Sequence, residues 1–230
     1  SVDMYKSIVQ SCDTYYYVLA SETDIDDTAR FLNQLGFGHK TGVDIEGELT
    51  GVLPSREWKR ARFNKPWFPG ETVIAGIGQG YWVVTPLQLA NAVSTFAAHG
   101  VPRTPHLLRA VQADGDERPQ VLPLAPDQAN IIDKPSNWLA VQRGMIAVVD
   151  AGTARTMGEG FPYTIAGKTG TAERYSRTDD TWTSISASPI ERHQVLFECF
   201  TPADDARIAV VVALEAGRSG ATDAAPIARK

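Results

Sequence analysis

The run Ile208-Ala209-Val210-Val211-Val212-Ala213-Leu214 has no polar position on either face. A strand of that composition must be covered on both sides, so Ile208 to Glu215 is predicted as a central strand. The tight link Pro202-Ala203-Asp204-Asp205 joins it to a second strand-like segment, Gln194 to Phe200, as a hairpin. A third segment, Tyr163 to Glu173, precedes a polar stretch, Arg174 to Arg192, that reads as a loop. Together the three strands describe an antiparallel meander.

Ahead of the meander the pattern is mostly helical. Val2, Tyr5, Ile8 and Val9 have helical spacing from the first residues on, as though a helix were already under way. Ser21-Glu22-Thr23-Asp24 caps a helix that runs to about Leu35 and stops at Gly36. Residues 37–69 are rich in glycine, proline and charge, with short strand-like pieces at Val43-Asp44-Ile45 and Gly51-Val52-Leu53, and read as a long surface connection. Val73 to Gly80 reads as a glycine-rich turn. Its alternating Gly76, Gly78 and Gly80 do not match a dinucleotide-binding fingerprint, which needs a helix opening directly on the last glycine.

The clearest helix follows, with Thr85 as cap, Pro86 in the first turn, Leu89, Val93 and Phe96 on one face, and Gly100 as terminator. Residues 101–127 predict a peripheral hairpin turning at Ala113-Asp114-Gly115-Asp116. Ser136 caps a further helix, with Leu139, Val141, Met145, Val148 and Val149 inward, which breaks and restarts at Ala151-Gly152-Thr153. Thr222-Asp223 caps a short alanine-rich helix at the end. Helices first and an antiparallel sheet last define an α+β domain, with helices against the sheet and peripheral insertions at about 37–72 and 101–127. The ends, inside helical patterns, read as cut on both sides.

Composition excludes several classes of function. A net charge of −5 with both signs interspersed leaves no basic face for nucleic acid. No apolar run approaches the roughly 20 residues of a membrane helix, and the first residues lack the basic start and apolar core of a signal peptide. Any anchor or export signal is therefore expected outside this sequence. Cys12 and Cys199 read as small buried hydrophobes; Cys12 is a metal-ligand candidate only if partners lie elsewhere, because no Cys or His is spaced near it. No cofactor is implied.

The chemistry concentrates in Ile165-Ala166-Gly167-Lys168-Thr169-Gly170-Thr171-Ala172-Glu173. A β-prone run leads into an ammonium, a hydroxyl, a bare glycine and a second hydroxyl. Glycine within a strand marks close approach by a ligand or another backbone, and the flanking groups suit a carboxylate. A second Lys-Thr-Gly, Lys40 to Gly42, sits among Gly36, Gly38 and Gly47 without a β-prone lead and reads as a turn. The other polar motif is Ser11-x-Asp13, just after the first helical stretch.

Ser11-x-Asp13 with Lys168-Thr169-Gly170 resembles two of the three motifs of penicillin-recognising serine transpeptidases and β-lactamases. The third, S-x-x-K, carries the nucleophile and does not occur in the 230 residues. Longer stretches are similar to the penicillin-binding protein 2 branch, the class B D,D-transpeptidases of rod-shaped Gram-negative bacteria. They are Val9 to Thr14, Leu35 to Gly38 with Thr41 to Asp44, Gly78 to Gly80 with Thr85 to Ala90, and Ala166 to Ala172.

The resemblance implies a β-lactamase/transpeptidase-like fold, residues 1–230 forming the C-terminal portion of a single transpeptidase domain. It implies peptidoglycan cross-linking in cell elongation by serine acyl transfer on D-Ala-D-Ala stem peptides, inhibition by β-lactams, and work at the periplasmic face of the inner membrane with elongation-machinery membrane proteins. It assigns Lys168 a fixed charge beside Ser11 and the substrate carboxylate, Thr169 and Thr171 hydroxyl contacts, and Gly170 a bare edge for the peptide. The Thr171 N–H becomes an oxyanion donor and Ser11 a proton relay to the leaving amine. Asp13 replaces the commoner Asn, as is usual in this branch. Glu173, and the strand Gln194 to Phe200, depart from the wider family. A non-catalytic penicillin-fold sensor and a serine β-lactamase are the alternatives, and the 230 residues alone are expected not to react with penicillin.

Overall fold

The computed structural model describes residues 1–173, 175–178, 181–184 and 193–230. Helix α1, Met4–Gln10, starts where the Asp3 side chain accepts the Lys6 N–H at 2.8 Å. The expected helix already under way at residue 1 is thus corrected, because a local cap fixes its start. Ser11 ends α1 in left-handed backbone, and α2, Asp13–Ser21, follows. Asp24 caps α3, Ile25–Gln34, and Gly36 with φ 94° turns the chain out of it, as the sequence signals require.

Residues 37–72 hold more helix than their composition suggests. Ser55 caps α4, Arg56–Phe63, and α5, Pro69–Ala75, occupies part of the expected glycine turn. The misleading signal was charge. Lys59 is 1% exposed, its ammonium lies 2.5 and 2.6 Å from the two Glu71 oxygens and 4.5 Å from the Phe68 ring centre, so this cation is interior. The strand-like piece at Val43 to Ile45 forms no strand, and Val52 makes one bridge, to Val83. Lys40-Thr41-Gly42 also forms no strand: it lies in irregular loop, where Glu48 accepts the Thr41 and Gly42 N–H groups and Gly42 has φ 82°.

Helix α6, Pro86–Ala97, has the predicted boundaries, with Thr85 and Gln88 satisfying each other's backbone N–H. Buried Gln88 also donates to the carbonyls of His39 and Thr50, both at 2.7 Å, fastening the preceding loop to α6. The peripheral hairpin is shorter than expected, β1 (Ala110–Val111) against β2 (Gln120–Val121). Helix α7 spans Pro135–Asp150, so Ser136 lies within its first turn instead of capping it. Leu139, expected inward, is 42% exposed, and Trp138 takes its place in the interior, donating its Nε1 hydrogen to the Phe96 carbonyl. The break at Ala151 to Thr153 leads to α8, Arg155–Gly158.

Strand β3, Ala166–Glu173, is followed by β4 (Tyr175–Thr178) and β5 (Thr181–Ser184), an antiparallel pair where a loop was expected. The remainder of that predicted loop lies outside the described residues. β6, His193–Thr201, and β7, Ile208–Leu214, complete the meander in the order β3-β6-β7, all antiparallel. Among the described residues β6 is the strand paired on both sides, and β7, predicted as central, is paired with β6. Val195, Phe197, Cys199 and Phe200 on β6 are at most 2% exposed, whereas β7 is covered mainly by α6 and by the C-terminal helix.

Helix α7 packs along β3 and α1 packs on α7. Gly144 permits that approach, since a Cβ there would sit 2.9–3.0 Å from Ile8 side-chain atoms. The expected helical cap at Thr222-Asp223 is instead a π-helical turn, Gly220–Ala224, leading into α9, Ala225–Ala228, both against β6. Val148, Val149, Ile165, Phe197 and Phe200 lie in one core joining these elements. Truncating Phe197 or Phe200 to alanine costs about 3–5 kcal/mol at such positions. Cys12 and Cys199 are free thiols, and burial pushes the Cys199 thiol up to about 12, where it stays neutral and packs as a hydrophobe.

Candidate active site

The two polar motifs meet although 157 residues separate them. Ser11 sits at the end of α1 with φ 53° and ψ 56°, a conformation that costs a serine about 1–2 kcal/mol relative to ordinary helical backbone. The turn is held by its N–H donating to Ile8, 3.3 Å, and by the Cys12 N–H donating to Ser7, 2.9 Å. Its effect is to lift the Ser11 hydroxyl off the helix toward β3. There the Lys168 ammonium donates to Ser11 Oγ at 2.9 Å and to the Thr169 carbonyl at 2.8 Å.

Burial pushes the Lys168 ammonium below its ordinary range, and the carboxylates of Glu198 and Asp13 pull it back up. Asp13 is exposed in the first turn of α2, where the helix N-terminus also favours a negative charge. Glu198 faces Lys168 directly across the β3–β6 ladder, so both side chains project from the same side of the sheet. Burial raises the Glu198 carboxyl to about 7 despite the lysine. The sequence reading missed this residue, because a glutamate in an apolar strand announces nothing until its register with Lys168 is known.

Among the described residues β3 ends the three-stranded sheet, its outer edge unpaired. Thr169 lies one residue beyond the lysine, its hydroxyl 2.8 Å from that of Thr153 in the α7–α8 corner. The Thr171 hydroxyl accepts the Gly220 N–H at 3.4 Å. A Cβ on Gly170 would come 3.2 Å from the Leu196 Cβ, a tight contact, and the π-turn packs on the same stretch, where a Cβ on Gly220 would come 2.7 Å from the Gly170 carbonyl. Ser11, Asp13, Lys168, Thr169, Gly170 and Thr171 thus gather at one place, while Lys40 to Gly42 takes no part. Thr153 and Gly220 are further residues there that the sequence reading did not single out. Among the described residues no group of three or more His, Cys, Asp or Glu is placed to hold a metal ion, and Cys12 belongs to no such group.

An ammonium held between a serine hydroxyl and a strand carbonyl, beside an open edge lined by two threonines, is suited to binding a carboxylate and passing a proton. The sequence profile of the penicillin-binding protein transpeptidase domain matches residues 1–230. This chain belongs to that family. It is 38% identical to the peptidoglycan D,D-transpeptidase MrdA of Haemophilus influenzae over 99% of its length, covering 35% of that protein. It is 40% identical to the enzyme of the same name from Acinetobacter baumannii over 97%, covering 33% of it. The chain therefore spans about a third of the length of these relatives.

Solved structures agree. The chain superimposes on penicillin-binding protein 2 of Pseudomonas aeruginosa, determined in complex with WCK 5153, with a TM-score of 0.80 and 39% identity, covering 99% of this chain and 46% of that one. Penicillin-binding protein 2 of Helicobacter pylori, determined in complex with MreC, gives 0.76 and 29%, covering 93% of this chain and 36% of that one. The α+β fold with its antiparallel sheet is the transpeptidase fold, as the sequence implied.

Proposed function

We propose that this chain forms part of a peptidoglycan D,D-transpeptidase of cell elongation, acting at the periplasmic face of the inner membrane and acylated by β-lactams. The observation that carries the reading is the 2.9 Å hydrogen bond from Lys168 Nζ to Ser11 Oγ, which joins the two family motifs present. The 230 residues contain no S-x-x-K, so the reading assigns the nucleophilic serine and its lysine to another part of the protein.

In this reading the nucleophilic serine attacks the carbonyl of the penultimate D-alanine of a stem peptide, and the S-x-x-K lysine takes its proton. Ser11 relays that proton to the departing D-alanine nitrogen, and an amine of a neighbouring peptide then displaces the serine. Lys168 keeps the Ser11 oxygen oriented by donating to it, and its charge favours the substrate carboxylate that Thr169 and Thr171 bind. The Thr171 N–H stabilises the developing oxyanion together with the N–H of the nucleophile. MreC, the partner in the Helicobacter pylori complex, represents the class of elongation-machinery protein expected beside it.

Fluorescent penicillin provides the test. The whole protein carrying this chain is expected to form a stable acyl-enzyme, and the isolated 230 residues none. Binding without a covalent bond would turn the reading to a sensor domain, and rapid release of hydrolysed penicillin to a β-lactamase.

A further inference from the structure

The corner between α7 and α8 touches both walls of the site. Gly152 lies against the last turn of α1, where a Cβ would come 2.5 Å from the Val9 carbonyl, two residues before Ser11. The next residue, Thr153, places its hydroxyl 2.8 Å from that of Thr169 on β3. One dipeptide therefore packs against the helix that carries the proton-relay serine and hydrogen-bonds the strand that carries the carboxylate-binding hydroxyls.

The direction of that hydrogen bond matters. A threonine hydroxyl has one proton to give and two lone pairs. A carboxylate can only accept, so Thr169 must spend its one proton on the ligand and can then only accept from Thr153. Thr153 is exposed, and among the described residues its side chain hydrogen-bonds Thr169, so its hydroxyl can rotate and supply that proton. Donation into Thr169 polarises its O–H toward the ligand, since hydrogen bonds in a chain strengthen one another.

We propose that Thr153 is a positioning residue for carboxylate recognition: it donates to Thr169 and thereby commits the Thr169 proton to the carboxylate of the substrate or β-lactam. Gly152 sets the corner close enough to α1 for this contact to form while Ser11 stays in reach of Lys168. The proposal rests on the transpeptidase reading above, which supplies the carboxylate ligand.

The test uses the whole transpeptidase containing this chain and two probes, a penicillin with its free carboxylate and the same penicillin as its methyl ester. Acylation efficiency is measured for the natural sequence, Thr153→Val and Thr153→Ser. Loss of one hydrogen bond to the ligand-binding hydroxyl is expected to lower the efficiency of Thr153→Val about three- to tenfold with the acid, and to leave the ester nearly unchanged. Thr153→Ser, which keeps the hydroxyl, is expected to restore the acid. An equal fall with both probes, or failure of serine to rescue, overturns the proposal in favour of a packing role, and no change with either probe overturns it outright. If the natural protein forms no acyl-enzyme with the acid, the functional reading itself fails and the proposal goes with it.

Discussion

Lys168 on β3 and Glu198 on β6 stand directly opposite each other in the antiparallel ladder, a half-buried acid beside the one lysine that links both site motifs. β7, α6 and α9, which also pack against β6, carry no titratable side chain, and Asp223 of the π-turn is held by Arg218 at 2.6 Å. Among the described residues Lys168 is the charge that acts on Glu198.

That environment makes stability depend on pH. Burial raises the Glu198 carboxyl from an ordinary 4.5 to about 7, so the folded state holds this proton more tightly than the unfolded chain. The contribution is fully present below about 4.5 and is lost as pH rises through about 7. Glu198→Gln is therefore expected to match the natural protein near pH 4 and to exceed it at pH 8 by at most about 3 kcal/mol. Denaturant unfolding at the two pH values measures this, and a variant less stable at pH 8 would show that the Lys168 pairing outweighs burial.

Lys168→Ala removes the donor to both Ser11 and the Thr169 carbonyl. A loss of about 10²–10³ in acylation rate is expected if the contact acts in the transition state, as for other preorganised donors at charged intermediates. Ser11→Ala should lose a similar factor, and the double variant should fall little further, because the two residues act as one unit. Additive losses would count against a shared role.

Gly220→Ala places a methyl 2.1 Å from the Leu196 carbonyl and 2.7 Å from that of Gly170. The π-turn must move off the sheet, at a cost of about 1–3 kcal/mol for overpacking. A lowered thermal midpoint together with weakened penicillin acylation is expected, since the Thr171 hydroxyl loses its contact with the Gly220 N–H. An unchanged midpoint would mean that the turn yields freely.

Lys59→Met leaves the Glu71 carboxylate, itself hydrogen-bonded to the Phe68 N–H and the Tyr81 hydroxyl, without its cation. A destabilisation of about 3–5 kcal/mol is expected. Adding Glu71→Gln should recover part of it, which a double-mutant cycle by chemical denaturation would reveal.

Local rules read from sequence were reliable wherever the deciding interaction is itself local. Thr85, Pro86 and Gln88 fix the start of α6 within four residues, Gly36 ends α3, and the three strands with their tight hairpin follow from pattern and turn chemistry. Lys168 to Thr171 and Ser11 were legible as chemistry because their types and order are unusual enough to resemble one family. The sequence could not tell that Lys59 lies inside or that Glu198 faces Lys168, since each depends on which distant segment arrives alongside. The same holds for Thr153. Its hydroxyl acquires meaning only when α7, packed between α1 and β3, turns its last corner against both, and that placement is a property of close-packed tertiary contacts that no single stretch of the chain contains.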